Sequence, residues 1–303
     1  MPELPEVETV VRGLRPKLLG RVIQACVTVS PLMVGKAASD FRLKLGGRSF
    51  EQIDRHGKWI FVRLSGDLTL AIHLGMTGNL RVEDAMHGIE PHTHLRLSLE
   101  SGRQECRFID PRRFGELVLA TSSDMPTRFG PKQLGKDALL ITLPELKETL
   151  ARTKRRVKSV LLDQRALAGI GNIYADEILF HAGIYPGARA DRLADEVVEK
   201  LARTITRILK RAINAGGSTI RDYVDSDGKR GSYQNQHDVY GRADQPCRRC
   251  GQAVELDQKI VTGRSTHFCS GCQTAGGPKR RLNRRSNHRP NGQAATNPRR
   301  NDR

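Results

Sequence analysis

At 303 residues, 38% of them hydrophobic, the chain is long enough to bury more than one core, and its length suggests about two domains. No apolar run approaches the roughly 18 residues of a membrane helix, LTLAIHLGM being among the longest, and the acidic N-terminus lacks the basic and apolar segments of an export signal, so a cytosolic protein is expected. With 51 Lys and Arg against 33 Asp and Glu, for a net charge of +18, a polyanionic partner is favoured, nucleic acid before membrane.

The chain opens MPELPEVETVVRGL. Once Met1 is removed, the ring nitrogen of Pro2 is a free secondary amine and a candidate nucleophile. From Glu6, the apolar positions Val7, Val10, Val11 and Leu14 follow helical spacing, with Pro5 suited to the first turn and Pro16 expected to kink or end the helix. The period then changes. Ile23, Ala25, Val27 and Val29 alternate, as do Leu95, Leu97 and Leu99, with turn signals at 65–67 and 100–102, so residues 20–120 read as antiparallel β-structure, a sandwich or flattened barrel.

Turn formers at 121–135 suggest a linker. Beyond it Thr142 and Glu145 stand at capping-box spacing before a helix, and a second helical stretch covers about 155–163. After ALAGIGN a third helix is expected with Asn172 as its N-cap, and the longest runs over about 192–214 until Gly216 and Gly217 stop it. No internal repeat suggests a solenoid.

Four of the six cysteines, Cys247, Cys250, Cys269 and Cys272, form C-x2-C, eighteen residues, C-x2-C. That is the spacing of a four-thiolate structural zinc site, closed to substrate, with disulfides disfavoured by the cytosolic reading. Cys26 and Cys106 lie in strand-like segments and read as buried, inert thiols. Between the knuckles, AVELDQKIVTGRSTHF reads as a hairpin with Arg264 and His267 on its second arm, either functional or merely solvated. The final residues 277–303 hold nine Lys or Arg against Asp302 alone, a charge of +8, and have no apolar face, so disorder is expected there.

Taken together, PELPEVET, HLGMTG at 73–78, DPRRFG at 110–115, GIGNIYADEILF at 169–180 and GRSTHFCSGCQ at 263–273 resemble bacterial formamidopyrimidine-DNA glycosylases, in order, over residues 2–275. The basic tail departs from that pattern. The resemblance implies an α+β multidomain fold: a catalytic β-sandwich with an N-terminal helix (1–125), a helix-two-turns-helix domain (126–240) and a four-cysteine zinc hairpin (241–275), followed by the tail (276–303). It implies a monomer that binds double-stranded DNA in the cleft between domains, carries one structural Zn2+, removes 8-oxoguanine and formamidopyrimidines, and cleaves the abasic site.

By that resemblance Pro2 attacks the sugar, Glu3 does acid–base work, Lys58 contacts phosphate and moves a proton in β-elimination, and Arg264 donates a proton in δ-elimination. Glu6 helps to position the N-terminus, while Glu8 is read only as a helix-dipole partner. Met76, Arg112 and Phe114 fill the space left by an extruded base, and His92, Lys158 and Asn172 contact DNA. The segment 226–242 resembles the loop that closes over the lesion. Two alternatives stay open: an endonuclease VIII-like preference for oxidised pyrimidines, and a non-catalytic zinc-ribbon nucleic-acid-binding protein, which would leave PELPE unexplained. For the tail, nonspecific DNA affinity is expected, each neutralised phosphate adding about −0.9 to the slope of log affinity against log salt.

Overall fold

The computed structural model describes residues 1–34 and 38–276. The tail beyond Gly276, with the disorder and nonspecific affinity expected of it, lies outside the described residues. Helix α1 (Leu4–Leu18) begins where Pro5, in the first turn, needs no partner for a missing N–H. The Glu6 carboxylate accepts the Glu3 N–H at 2.8 Å and closes the helix start. Contrary to expectation, Pro16 does not end the helix, which runs on to Leu18. It falls in the last turn, where one absent hydrogen bond is tolerated.

The chain continues through β1 (Ile23–Val29), two short helices that the sequence pattern did not reveal, α2 (Pro31–Val34) and α3 (Ala38–Leu45), and seven further strands. These are β2 (Phe50–His56), β3 (Trp59–Leu64), β4 (Leu68–His73), β5 (Asn79–Asp84), β6 (Thr93–Leu99), β7 (Gln104–Ile109) and β8 (Glu116–Thr121). They build two four-stranded antiparallel sheets, ordered β1-β6-β7-β5 and β2-β3-β4-β8. The buried Leu95, Leu97 and Leu99 face the core as expected. In β1 the alternation fails, because Ile23, Cys26 and Val29 are buried while Val27 is 43% exposed. Two register shifts against β6 insert bulges and move the inward set from every second residue to every third. Cys26 and Cys106 are buried, and burial pushes their thiols up to about 11 and about 12, which suits inert groups.

The stretch read as a linker carries α4 (Met125–Phe129), and it is docked rather than free. Phe129 packs edge-on against Trp59 and Phe61, with ring centroids 5.0 and 5.1 Å apart. After β9 (Lys136–Asp137) come α5 (Leu143–Ala151), capped by Thr142 and Glu145 as expected, α6 (Val157–Leu162), β10 (Leu167–Ala168), α7 (Asn172–Ala182) and α8 (Asp195–Asn214). Gly171, not Asn172, is the N-cap of α7, and Asn172 is its first helical residue. The strands β11 (Glu255–Val261) and β12 (Arg264–Phe268) make the hairpin. Among the described residues, no helix is long and apolar enough to cross a membrane.

Helix α1 belongs to both cores. Val7, Val10, Val11, Leu14 and Leu18 pack into the sandwich, whereas Leu4 packs among the helices of the second domain. A buried ion pair reinforces the join: Arg55 on β2 and Asp137 on β9 are 4% and 3% exposed, and Arg55 Nη2 donates to Asp137 at 3.1 Å. Without Asp137, Arg55 keeps only Glu8 at 3.0 Å as a charged partner and the buried Gly57 N–H loses its acceptor, so Asp137→Ala is expected to cost about 1–3 kcal/mol. Urea unfolding would show it as a lowered midpoint; an unchanged midpoint would deny the pair that role.

Candidate active site at the domain cleft

The N-terminus meets the start of α7 in the cleft. Glu3 is buried, and its carboxylate accepts the N–H groups of Gly171 (2.7 Å), Ile173 (3.0 Å) and Tyr174 (3.4 Å). These are the unpaired donors and the positive dipole end of a helix, a natural seat for an acid. Gly171 is required here, since a Cβ would come 2.4 Å from the Glu3 carboxyl carbon. Burial nevertheless raises the pKa of Glu3 against the pull of Lys58 and those N–H groups, which keeps it a proton donor closer to neutrality. Pro2 is buried beside it, and burial lowers the pKa of the Met1 amine that precedes it, with Glu3 and Glu6 opposing and Lys58 and Arg112 assisting.

Lys58 sits in the two-residue turn between β2 and β3, where Gly57 supplies a φ of 58°. Asp137 accepts the Gly57 N–H at 2.7 Å, so the helical domain itself holds this turn in place. Lys58 is 5% exposed, and burial lowers its pKa despite Glu3 nearby. An amine so placed is more readily found in its neutral, proton-accepting form than an exposed lysine.

Glu6 accepts the Tyr174 hydroxyl at 2.5 Å and the Ser218 N–H at 2.7 Å, and the Ser218 hydroxyl lies 3.1 Å from His237 Nε2. Burial and the Glu3 charge raise Glu6 to about 7 from an ordinary 4.5, while burial lowers His237 to about 4. Because the folded pKa is the higher one, the stability Glu6 contributes is complete below pH 4.5 and is lost as pH rises through about 7. At 1.36 kcal/mol per pKa unit the loss is roughly 3 kcal/mol. Glu6→Gln, which mimics the protonated acid, should flatten the fall in melting temperature across that window, and parallel curves for variant and parent would contradict this.

Above the N-terminus, two loops are pressed together. The fully buried Asp110 accepts the Thr77 hydroxyl at 2.5 Å and the Gly115 N–H at 2.7 Å, and Arg113 takes a left-handed φ of 60° to make the turn. A Cβ on Gly75 would lie 2.4 Å from the Phe114 carbonyl carbon, so only glycine permits the approach. The turn leaves Met76 38% and Phe114 56% exposed, with the Arg112 guanidinium 4.9 Å from the Phe114 ring centre. The exposed His92 joins the cluster through its carbonyl, which accepts the Asp110 N–H at 3.0 Å. A cavity of about 320 Å³, at the small end of ligand-pocket sizes, is lined by Pro2, Met76, Arg112, Ile173, Ser218, residues 220–223 and Tyr240.

Several sequence expectations need correction. The segment 226–242 is anchored from Gly231 onward: Tyr233 is fully buried, and the Glu177 carboxylate accepts the N–H groups of Asp238, Val239 and Tyr240 at 2.9–3.0 Å. The buried carboxylate needs those donors; Tyr240 of this segment lines the pocket together with Ser218 and residues 220–223 of the preceding stretch. Lys158 is not at a DNA-facing surface. It is wholly buried, with Nζ 2.6 Å from Asp176 and donating to the Ser265 carbonyl at 2.8 Å and the Thr266 hydroxyl at 3.0 Å. Asn172 spends its amide N–H on Ser265 at 2.9 Å. Glu8, too, is an ion-pair partner of Arg12 and Arg55 at 2.8 and 3.0 Å rather than only a dipole partner. Sequence reasoning missed Asp137, Asp176 and Ser218, whose partners lie far along the chain, and the part played by Asp110; Asp110 at least sits inside the block DPRRFG, and Asp176 and Tyr174 inside GIGNIYADEILF.

The four cysteine sulfurs lie within 4.8 Å of one another, with pairs at 3.4 and 3.9 Å. A zinc tetrahedron with bonds of about 2.3 Å spaces its sulfurs at about 3.8 Å, whereas a disulfide needs about 2 Å. The donor set therefore fits a metal. His267 is buried and donates its backbone N–H to Asp176 at 2.9 Å, while Arg264 remains exposed on the same arm.

Comparison with known proteins gives a consistent result. Residues 1–117 match the model of the formamidopyrimidine-DNA glycosylase N-terminal domain, and 134–224 match that of the formamidopyrimidine-DNA glycosylase H2TH domain. The formamidopyrimidine-DNA glycosylase of Desulforamulus reducens is 42% identical over 279 residues, covering 91% of this chain and 100% of that protein. The Bacillus subtilis enzyme of that name is 39% identical over 278 residues, covering 90% and 99%. A Lactococcus lactis Fpg variant in complex with Fapy-dG-containing DNA superposes with a TM-score of 0.83 at 33% identity, covering 90% of this chain and 100% of that one. MutM (Fpg) from Thermus thermophilus gives 0.78 at 40% identity, covering 91% and 100%.

Proposed function

The chain belongs to the formamidopyrimidine-DNA glycosylase family, and from that premise we propose how its own residues carry out base-excision repair of oxidised purines and cleavage of the abasic site. The observation that carries the reading is the seating of Glu3 on the α7 N-terminus, beside Pro2 and the buried Lys58. A lesion base cannot be reached in the stack, so it is flipped into the cavity beneath Arg112 and the 218–223 wall. Met76 and Phe114 occupy the gap it leaves, and Arg112 pairs with the orphaned base; exposed apolar side chains on a rigid turn suit that wedge.

The Pro2 nitrogen attacks C1′ of the deoxyribose, the glycosidic bond breaks, and the base leaves with the electron pair and a proton. Glu3 protonates the ring oxygen as the sugar opens, leaving a C1′ iminium on Pro2. Loss of a C2′ proton, with Lys58 as the base, expels the 3′ phosphate. Loss of the C4′ proton to water then expels the 5′ phosphate, and Arg264 assists by hydrogen-bonding the departing oxygen and balancing its charge. Water finally hydrolyses the iminium and frees the enzyme.

Cys247, Cys250, Cys269 and Cys272 hold one zinc ion, which supplies folding energy to the hairpin and leaves no position open for substrate. The partner is duplex DNA, and the working unit is a monomer acting in the cytoplasm. Single-turnover cleavage of a lesion panel tests the substrate assignment. Faster turnover of 8-oxoguanine opposite cytosine than of thymine glycol is expected, and the reverse order would favour the endonuclease VIII-like alternative.

A further inference from the structure

The zinc site fixes only the base of the hairpin. Its last strand, β12, runs from the exposed Arg264 to Phe268, just before Cys269. Between Arg264 and the metal ligands, the strand is fastened by a second device that uses no metal. The Lys158 ammonium, from α6, is ion-paired with Asp176 at 2.6 Å and donates to the Ser265 carbonyl (2.8 Å) and the Thr266 hydroxyl (3.0 Å). Asp176, from α7, accepts the His267 N–H at 2.9 Å with its other oxygen, and Asn172 donates to the Ser265 carbonyl at 2.9 Å. Lys158 and Asp176 are both fully buried.

Ser265 and His267 of β12 are thus pinned to α7, the helix whose N–H groups hold Glu3, and Thr266 between them is pinned to Lys158 on α6. In a strand, residues two apart share a face. Fixing Thr266 against Lys158 therefore turns Arg264 toward that side, where its charge bears on Lys58, Lys158 and Tyr240. A buried ion pair is weak evidence for stability, because desolvation consumes most of the attraction. Its surer effect is to fix geometry, and here the geometry fixed is that of one arginine.

We propose that Lys158 and Asp176 are positioning residues that lock β12 onto α7 and aim Arg264 at the second departing phosphate, so that they govern δ-elimination rather than base excision. The proposal rests on the role given to Arg264 above. A misplacement of about 1 Å in a catalytic group costs up to about 10²-fold, and the pair acts on the product ratio through Arg264 alone.

The test is single-turnover cleavage of a duplex bearing an abasic site, scoring the ratio of δ to β product, with borohydride-trapping yield and zinc content measured on the same preparations. Asp176→Asn should lower the ratio about tenfold while trapping and zinc stay at parental levels. Thr266→Val, a milder change that removes one acceptor from Lys158, should lower it about threefold in the same direction, and it serves if Asp176→Asn does not fold. An unchanged ratio in a folded variant would overturn the proposal. So would a fall in ratio accompanied by equal loss of zinc or of trapping, which would make the pair a general folding element. Arg264→Ala separates the two layers: if it leaves the ratio unchanged, the role assigned to Arg264 fails, whatever the other variants do.

Discussion

Borohydride added during reaction with a duplex containing 8-oxoguanine opposite cytosine is expected to leave a covalent adduct whose peptide maps to Pro2. Reduction converts the iminium to a stable amine, so the adduct records which nitrogen attacked. Protein that retains Met1 should give no Pro2 adduct and should lose at least about 10³-fold in base excision, the scale on which removal of a nucleophile is felt. The reason is electronic: with Met1 attached, the Pro2 nitrogen is an amide and has no basic lone pair. Model α-amines titrate at about 7.7–8.0, and burial lowers the Met1 amine in this cleft. A proline amine there would hold its proton less firmly than an exposed one, since burial disfavours the charged form. An adduct on Lys58, or full activity with Met1 in place, would defeat the assignment.

Much of this site was legible because its chemistry lies in short blocks. PELPEVET carries the proposed nucleophile and three carboxylates, DPRRFG folds back on itself through Asp110, and C-x2-C spacing declares its own geometry. The sandwich was readable from Leu95, Leu97 and Leu99, yet not from β1. There the bulges that realign Cys26 and Val29 are set by pairing with β6, about 70 residues away, and leave no local mark. Lys158 shows the deeper limit. The resemblance places it as a DNA contact, and only Asp176 with Ser265 and Thr266 of β12, the last two more than 100 residues further on, reveal it as buried and spent. The wall at 218–223 was missed for the same reason, since Glu177 holds the neighbouring segment through backbone N–H groups that have no sequence signature.

Removing the metal should have the other large effect. The hairpin's own core is small: Phe180, Val239 and Val254 pack with Cys247 and Cys269, two of the four cysteines proposed to hold the ion. So few apolar groups cannot offset the ordering of about thirty residues at about 1–2 kcal/mol each, whereas a structural zinc site contributes about 10–16 kcal/mol of apparent binding energy. Cys269→Ser, or exhaustive chelation, should therefore unfold the hairpin and abolish cleavage by at least about 10²-fold. The sandwich, with a separate core built on Val7, Val10, Leu14 and the two sheets, should stay folded. Hydrogen exchange distinguishes local from global loss: amides of β11 and β12 should exchange freely, while those of β3 and β4 keep parental protection. The buried Lys158–Asp176 pair lets the expectation be sharpened. If that contact alone held β12 in place, metal-free protein would retain protection at Thr266 and His267, so protection there after complete zinc removal would show the ion to be dispensable for the fold.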